Sequence, residues 1–205
     1  NSATQYNTFS NSQLNQQATE NLRYTQVPTS GTFKNLRIHL PSSPGSGKSY
    51  TFTVRKNGSD TSVTCAVSDA NTTCSDTSNS FTVAAGDNVN IKSVPSGTPT
   101  QSIPDYSLSF IADTDGEFFH HANLSTASNS ANNYVYANGS GWNGTEANKR
   151  YYSAAITAKK IYVYFTSSPG SGKSWQRALR VNGSTSALTC TVSDTNTTCN
   201  NTNDV

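Results

Sequence analysis

Apolar and polar residues alternate along much of the chain with the two-residue period of strands that bury one face. Leu36, Ile38 and Leu40 fall on one side, and Arg37 and His39 on the other. Tyr50, Phe52 and Val54 alternate with Thr51, Thr53 and Arg55, and Val63, Cys65 and Val67 continue the pattern. Phe81 and Val83, then Val89 and Ile91, then Tyr106, Leu108 and Phe110 follow. Between these runs stand the turn formers Pro44-Gly45, Asn57-Gly58, Ala85-Gly86-Asp87 and Pro95-Ser96-Gly97. With a further run over 23–27 this makes about seven short strands, and no segment carries a helical period. The pattern predicts an all-β chain of the immunoglobulin-like or jelly-roll sandwich type.

The pattern also repeats. Residues 42–75 match residues 167–200 at a constant offset of 125, with 21 of 34 positions identical. Leu36–Leu40 falls on Ile161–Phe165 at the same offset, and Asn21-Leu22-Arg23-Tyr24 resembles Asn148-Lys149-Arg150-Tyr151. Asn1-Ser2-Ala3 and Tyr6 match Asn129-Ser130-Ala131 and Tyr134. The expected organisation is an N-terminal segment over 1–20, a complete sandwich repeat over 21–117, a linker over 118–147 and a second, truncated repeat over 148–205. Strands of the second repeat are expected over 149–154, 160–166, 174–181 and 186–192. Arg177 breaks its apolar pattern by standing where the first repeat has Phe52.

The second repeat stops before the counterparts of Phe81, Val83, Val89, Ile91, Tyr106, Leu108 and Phe110. Burying seven large side chains is worth on the order of 10–20 kcal/mol, as much as the whole stability of a domain. The expectation is that strands from a neighbouring chain fill the gap by β-strand addition. An open sheet edge invites such pairing, and a head-to-tail contact of this kind grows a homopolymer.

Composition narrows the function classes. Only 33% of residues are hydrophobic and 13% charged, with Ser, Thr, Asn and Gly making up the difference, a mixture that favours strands and turns over helices. The net charge of +2 and the scattered Lys and Arg trace no basic stripe, so no nucleic acid is expected as a partner. No apolar run is long enough for a membrane span. Starting at Asn1 without a leader, the chain reads as a mature or trimmed product.

Four cysteines form two equivalent pairs, Cys65/Cys74 and Cys190/Cys199, each separated by nine residues. Their even number and their recurrence in both repeats point to two disulfides and therefore to a secreted, extracellular protein. Zinc is disfavoured because no closer Cys or His cluster accompanies either pair. Ser46-Gly47-Lys48-Ser49 and Ser171-Gly172-Lys173-Ser174 imitate the end of a phosphate-binding loop. The required earlier glycine is replaced by Ser42 and Ser167, and a strand pattern follows, so a turn is expected instead. Asp113, Asp115 and Glu117 are weak calcium candidates in an otherwise ordinary polar connection, beside His120-His121. Eight Asn-x-Ser/Thr sequons, at Asn57, Asn71, Asn123, Asn138, Asn143, Asn182, Asn196 and Asn200, are possible glycosylation sites, only slightly more than the composition produces by chance. No nucleophile–base constellation and no opposed pair of carboxylates stands out, so neither enzymatic activity nor a cofactor is expected.

The stretch from Pro44 to Gly58, with Asp69–Cys74 and the tail Phe81–Pro99, resembles a repeat of uncharacterised secreted microbial and phage-associated structural proteins. The cysteine pairs look like an addition to that pattern. In logic the chain is also similar to extracellular filament subunits built from immunoglobulin-like domains. The resemblance implies a structural role: a subunit of an extracellular filament or surface fibre, assembled from copies of itself by strand complementation. The alternative is a module of a phage fibre or adhesin that binds surface glycans or a receptor through exposed rings such as Tyr162, Tyr164 or Trp142.

Overall fold

The computed structural model describes residues 3–9, 16–114, 117–118, 132, 144–146 and 157–204. The chain divides into two compact units, residues 1–9 with 14–119 and residues 10–13 with 120–205. Both are all-β, and every strand pair is antiparallel.

The first unit is a sandwich of two sheets. One holds β1 (Gln5–Asn7), β7 (Asn88–Ser96), β4 (Gly45–Lys56) and β5 (Ser59–Asp69) in that order, with β2 (Thr25–Gln26) also paired to β7. The other holds β6 (Thr73–Val83), β3 (Gly31–His39) and β8 (Asp105–Ala112). A single turn of 3-10 helix, Glu20–Arg23, precedes β2. Between the sheets lie Leu36, Ile38, Leu40, Tyr50, Phe52, Val54, Val63, Val67 and Ile91. A second cluster, Val27, Phe33, Val83 and Val89, packs against further aromatic rings, Phe33 stacking on Phe81 at 5.4 Å and lying tilted to Phe110 at 4.8 Å. Apart from Val27 and Phe33, these are residues that alternation assigns to the buried face of their strands, so the hydrophobic period accounts for most of the layering.

Three features depart from simple alternation. In β3 the buried positions run Gly31, Phe33, then Leu36, Ile38, so the period slips by one residue. Asn35 absorbs the slip as a bulge in the left-handed region, φ 59°, and the register to both neighbouring strands shifts there. Gly31 must stay small, because a Cβ there would collide with the Ile111 carbonyl and the Phe110 ring. Second, β6 begins at Thr73, and most of its residues before Phe81 are exposed. Third, β1, within the segment set apart as N-terminal, forms the edge of the first sheet through Gln5, Tyr6 and Asn7 against β7.

In the second unit β10 (Gly170–Val181) pairs with β11 (Ser184–Asp194), and β9 (Lys159–Tyr164) pairs with β12 (Thr198–Asp204). These are the counterparts of β4, β5, β3 and β6. The expected strand over 149–154 lies outside the described residues. The described second unit thus includes a β6 counterpart that alternation did not reveal, while β1, β2, β7 and β8 have no equivalent among the described strands. The left-handed residues recur with the strands: Asn35 and Lys160, Asn57 and Asn182, Asp69 and Asp194 stand 125 apart in sequence and share positive φ. Asn57-Gly58 and Asn182-Gly183, with φ of 49° and 79° and of 50° and 84°, close the two hairpins, as turns with positive φ at both central residues demand. Among the described residues no helix is long and apolar enough to cross a membrane.

Candidate functional site

The feature common to both units is a seam that ties the edge of one sheet to the edge of the other. Cys65 on β5 is joined to Cys74 on β6, and Cys190 on β11 to Cys199 on β12, each with a Cα separation of 5.8 Å. Both expected disulfides are therefore present, and each links two edge strands that belong to different sheets. Asp76 reinforces the first seam. Its carboxylate accepts hydrogen bonds from the amides of Thr64, Ser78 and Asn79 at 3.0–3.1 Å and from the Asn79 side chain at 3.0 Å. Burial alone would lift the Asp76 carboxyl, but the bonds from Asn79, Thr64 and Ser78 outweigh it and hold it below its ordinary value. In the second unit Asn201 takes this place. Its amide donates to the carbonyls of Ala187 and Thr189 at 3.0 and 2.9 Å, so the same two strands are bridged without a charge.

A second recurring device latches the chain entering each unit to its hairpin. Arg55 forms a bidentate pair with Glu20, at 2.8 and 2.9 Å, and a third bond to Asp60 at 2.5 Å, while Lys92 reaches Asp60 at 2.6 Å. The Arg55 guanidinium also lies 5.9 Å from the Tyr6 ring centroid. The Glu20 bond is the chief reason its pKa is raised. In the second unit Arg180 Nε lies 3.0 Å from Glu146 and Nη1 donates to Thr185 at 2.7 Å. Glu20 and Glu146 each stand shortly before the Arg-Tyr dipeptides 23–24 and 150–151, a signal present in the sequence but readable only once the arginine partners are known.

The candidates for chemistry find structural roles. The Gly47 amide, which a phosphate loop would turn to its anion, donates instead to Asp69 at 2.8 Å, and Gly172 does the same to Asp194 at 2.8 Å. Both loops open a strand rather than a helix. Glu117 accepts a hydrogen bond from Thr29, the Asp113 amide bonds the Ser30 carbonyl, and Asp115 lies outside the described residues. Among the described residues no group of three His, Cys, Asp or Glu could hold a metal. His39 lies 3.7 Å from Asp105 on the exposed face of β3 and β8. Of the sequons, Asn123, Asn138 and Asn143 lie outside the described residues, as do His120, His121 and Trp142. Asn71, Asn182, Asn196 and Asn200 are exposed. Asn57 is exposed too, but its amide donates to Asp87 at 2.7 Å and its carbonyl accepts from Asn88.

The units differ at the strands beside the seam. In the first, β4 is flanked by β5 and β7, and β3 by β6 and β8. Among the described residues β10 pairs only with β11, and β9 only with β12. Leu40, Tyr50 and Phe52 are 1%, 5% and 2% exposed. Their counterparts Phe165, Trp175 and Arg177 are half-buried, the two rings 4.8 Å apart and the Arg177 guanidinium 4.9 Å from the Phe165 centroid. Burial lowers the Arg177 pKa. Among the described residues, then, the second unit has the stapled strand pairs and an aromatic–cationic surface beside them, but no strand flanking β9 or β10 on the other side.

No protein-family model, no curated protein and no solved structure matches this chain. What defines it is its own geometry: an all-β chain of disulfide-stapled units that repeat within one sequence.

Proposed function

We propose that the chain is a non-enzymatic structural subunit of an extracellular filament or surface fibre, in which neighbouring subunits are joined head-to-tail by strands that complete an adjacent unit. The observation that carries this reading is the contrast at equivalent edges. The slots beside β4 and β3 are filled by β7 and β8, whereas the slots beside β10 and β9 are open among the described residues. Unpaired strand edges over an apolar floor gain backbone hydrogen bonds and buried area when a strand is added. Two disulfides, with no free cysteine among the described residues, support an oxidising, extracellular setting. The immunoglobulin-like character of the repeats belongs to the same reading. Two sheets in which β7 bridges β4 and the N-terminal strands, and β3 lies between β6 and β8, give a Greek-key sandwich suited to stacking in series.

Sedimentation of the full chain over a wide concentration range, followed by electron microscopy, tests the proposal. Open-ended oligomers that lengthen with concentration are expected. A chain that stays monomeric at high concentration while both units melt cooperatively would overturn it.

A further inference from the structure

The bulge in β3 coincides with a cleft in the first unit. Asn35 lies in the left-handed region at φ 59°. The ladder slips there on both flanks, between Lys34 and Leu36 toward β6 and between Lys34 and Arg37 toward β8. A bulge bends its strand and leaves the extra residue out of the ladder, so the regular pleat is interrupted across three strands at once. At this point lies a cavity of about 520 Å³, open to solvent. It is lined by Asn35 and Arg37 on β3, Thr77 on β6, and Ser107, Leu108 and Ser109 on β8. That volume falls within the range of sites that hold small molecules, roughly 300–1,000 Å³.

The chemistry of the lining selects its ligand. It offers one guanidinium, three hydroxyls and one carboxamide, with Leu108 as its single apolar residue and no carboxylate. Arg37, Thr77 and Ser107 are exposed, while Asn35 and Ser109 are half-buried. The Asn35 amide donates to the Ser109 hydroxyl at 3.4 Å and so ties the bulge to β8. The next ionisable groups along these strands, His39 and Asp105, are engaged with each other at 3.7 Å. A nucleic-acid backbone would call for several cations in a row, and an apolar peptide for an apolar bed. A hydroxyl-rich molecule with one negative group matches better. Ser, Thr and Asn side chains both donate and accept, as sugar hydroxyls do. A carboxylate or sulfate fits the bidentate fork of a guanidinium. In the second unit Lys160 and Tyr162 hold the places of Asn35 and Arg37, so this lining belongs to the first unit.

We propose that the cleft at the Asn35 bulge binds an acidic saccharide, a sugar bearing a carboxylate or a sulfate ester. Arg37 takes the charged group, and Thr77, Ser107 and Ser109 take the ring hydroxyls. Asn35 supplies the backbone kink that shapes the cleft and adds its carboxamide to the lining. The proposal does not depend on strand addition, since every residue in it belongs to β3, β6 and β8 of the first unit. A fibre built from such subunits would carry one acidic-sugar site per subunit along its length.

Isothermal titration calorimetry of the full chain with three oligosaccharides of equal length tests the proposal: one of uronic acid units, one sulfated and one neutral. Physiological ionic strength keeps long-range attraction screened. Saturable binding of at least one acidic oligosaccharide is expected, and the one that binds tells carboxylate from sulfate. The neutral oligosaccharide is expected to bind at least about tenfold more weakly, and Arg37→Gln to weaken the acidic one by a similar factor, the scale of a hydrogen bond to a charged group. Arg37 is exposed, so far-UV circular dichroism should show the variant's strands intact. Lys48→Gln, which removes an equal charge from β4 in the opposite sheet, is expected to leave binding unchanged. The proposal is overturned if neither acidic oligosaccharide binds, if the neutral one binds as well, if binding survives Arg37→Gln, or if Lys48→Gln weakens it equally.

Discussion

The two units share a seam and part company on either side of it. Disulfide, left-handed turn residues, Asp-capped glycine and arginine latch recur at equivalent places, so the β3–β6 and β4–β5 pairs of the first unit reappear as β9–β12 and β10–β11 in the second. What differs is enclosure. With β7 and β8 in place, Leu40, Tyr50 and Phe52 are shut from solvent, whereas Phe165, Trp175 and Arg177 remain half-buried. The comparison teaches that local devices hold a strand pair in shape, while a core requires the further strands. Turn chemistry and a staple specify register, and apolar area supplies most of the stability.

The largest way to break the comparison is through the core. Phe52→Ala is expected to destabilise the first unit by about 3–5 kcal/mol, while Arg177→Ala costs the second less, because Arg177 is half-buried where Phe52 is 2% exposed. Denaturant melts of the full chain with a probe in each unit check the pair, and equal losses would show that the two sites are equally enclosed. Next comes the staple. Replacing Cys65 and Cys74 together by Ala is expected to cost about 2–3 kcal/mol from loop entropy. The same change at Cys190 and Cys199 is similar in size but falls on a unit with less to spare, so protease cleavage should rise more sharply there.

A smaller and more specific contrast lies in acid. The Asp76 carboxyl sits below its ordinary value when folded. Its stabilising contribution is therefore complete above the ordinary carboxylate range and is lost as pH falls through the folded value. Asn201 in the second unit does not titrate. Acid is thus expected to weaken the first seam more than the second, and Asp76→Asn to flatten that part of the pH dependence, as read by thermal melts between neutral and acidic buffer. The smallest effect concerns the latch. Glu20→Gln is expected to cost about 1 kcal/mol and to loosen the 3-10 turn and β1 without disturbing the sheets, a change visible in amide exchange at Tyr6 and Asn90.

Much of this architecture is legible in alternation and repetition. Strands β3, β4, β5, β7 and β8 announce themselves because one face of each is apolar, and the cysteine pairing follows from its recurrence. Three elements stay hidden for physical reasons. The bulge at Asn35 shifts the phase of β3, so Phe33 reads as belonging to the wrong face. Most of the first eight residues of β6 expose their side chains, and the strand is held by backbone pairing to β3 and by the seam rather than by an apolar stripe. Strand β1 has only three residues, and its Tyr6 packs by cation–π contact with Arg55 instead of entering the core. The latch is invisible for a related reason: Glu20 and Arg55 are distant in sequence, and nothing in either residue alone names the other. The phosphate-loop imitation shows the opposite error averted, since Asp69, a neighbour only in space, occupies the Gly47 amide.

The central proposal is that β9 and β10, each paired with a single strand among the described residues, are covered by strands of a neighbouring subunit. Hydrogen exchange of the full chain, resolved by residue and measured at low and high concentration, tests it most directly. The account predicts that at dilution the amides on the outer edges of β9 and β10 exchange markedly faster than their counterparts in β3 and β4, and that they become protected as concentration rises. Equal protection of the two pairs of strands at every concentration would contradict it.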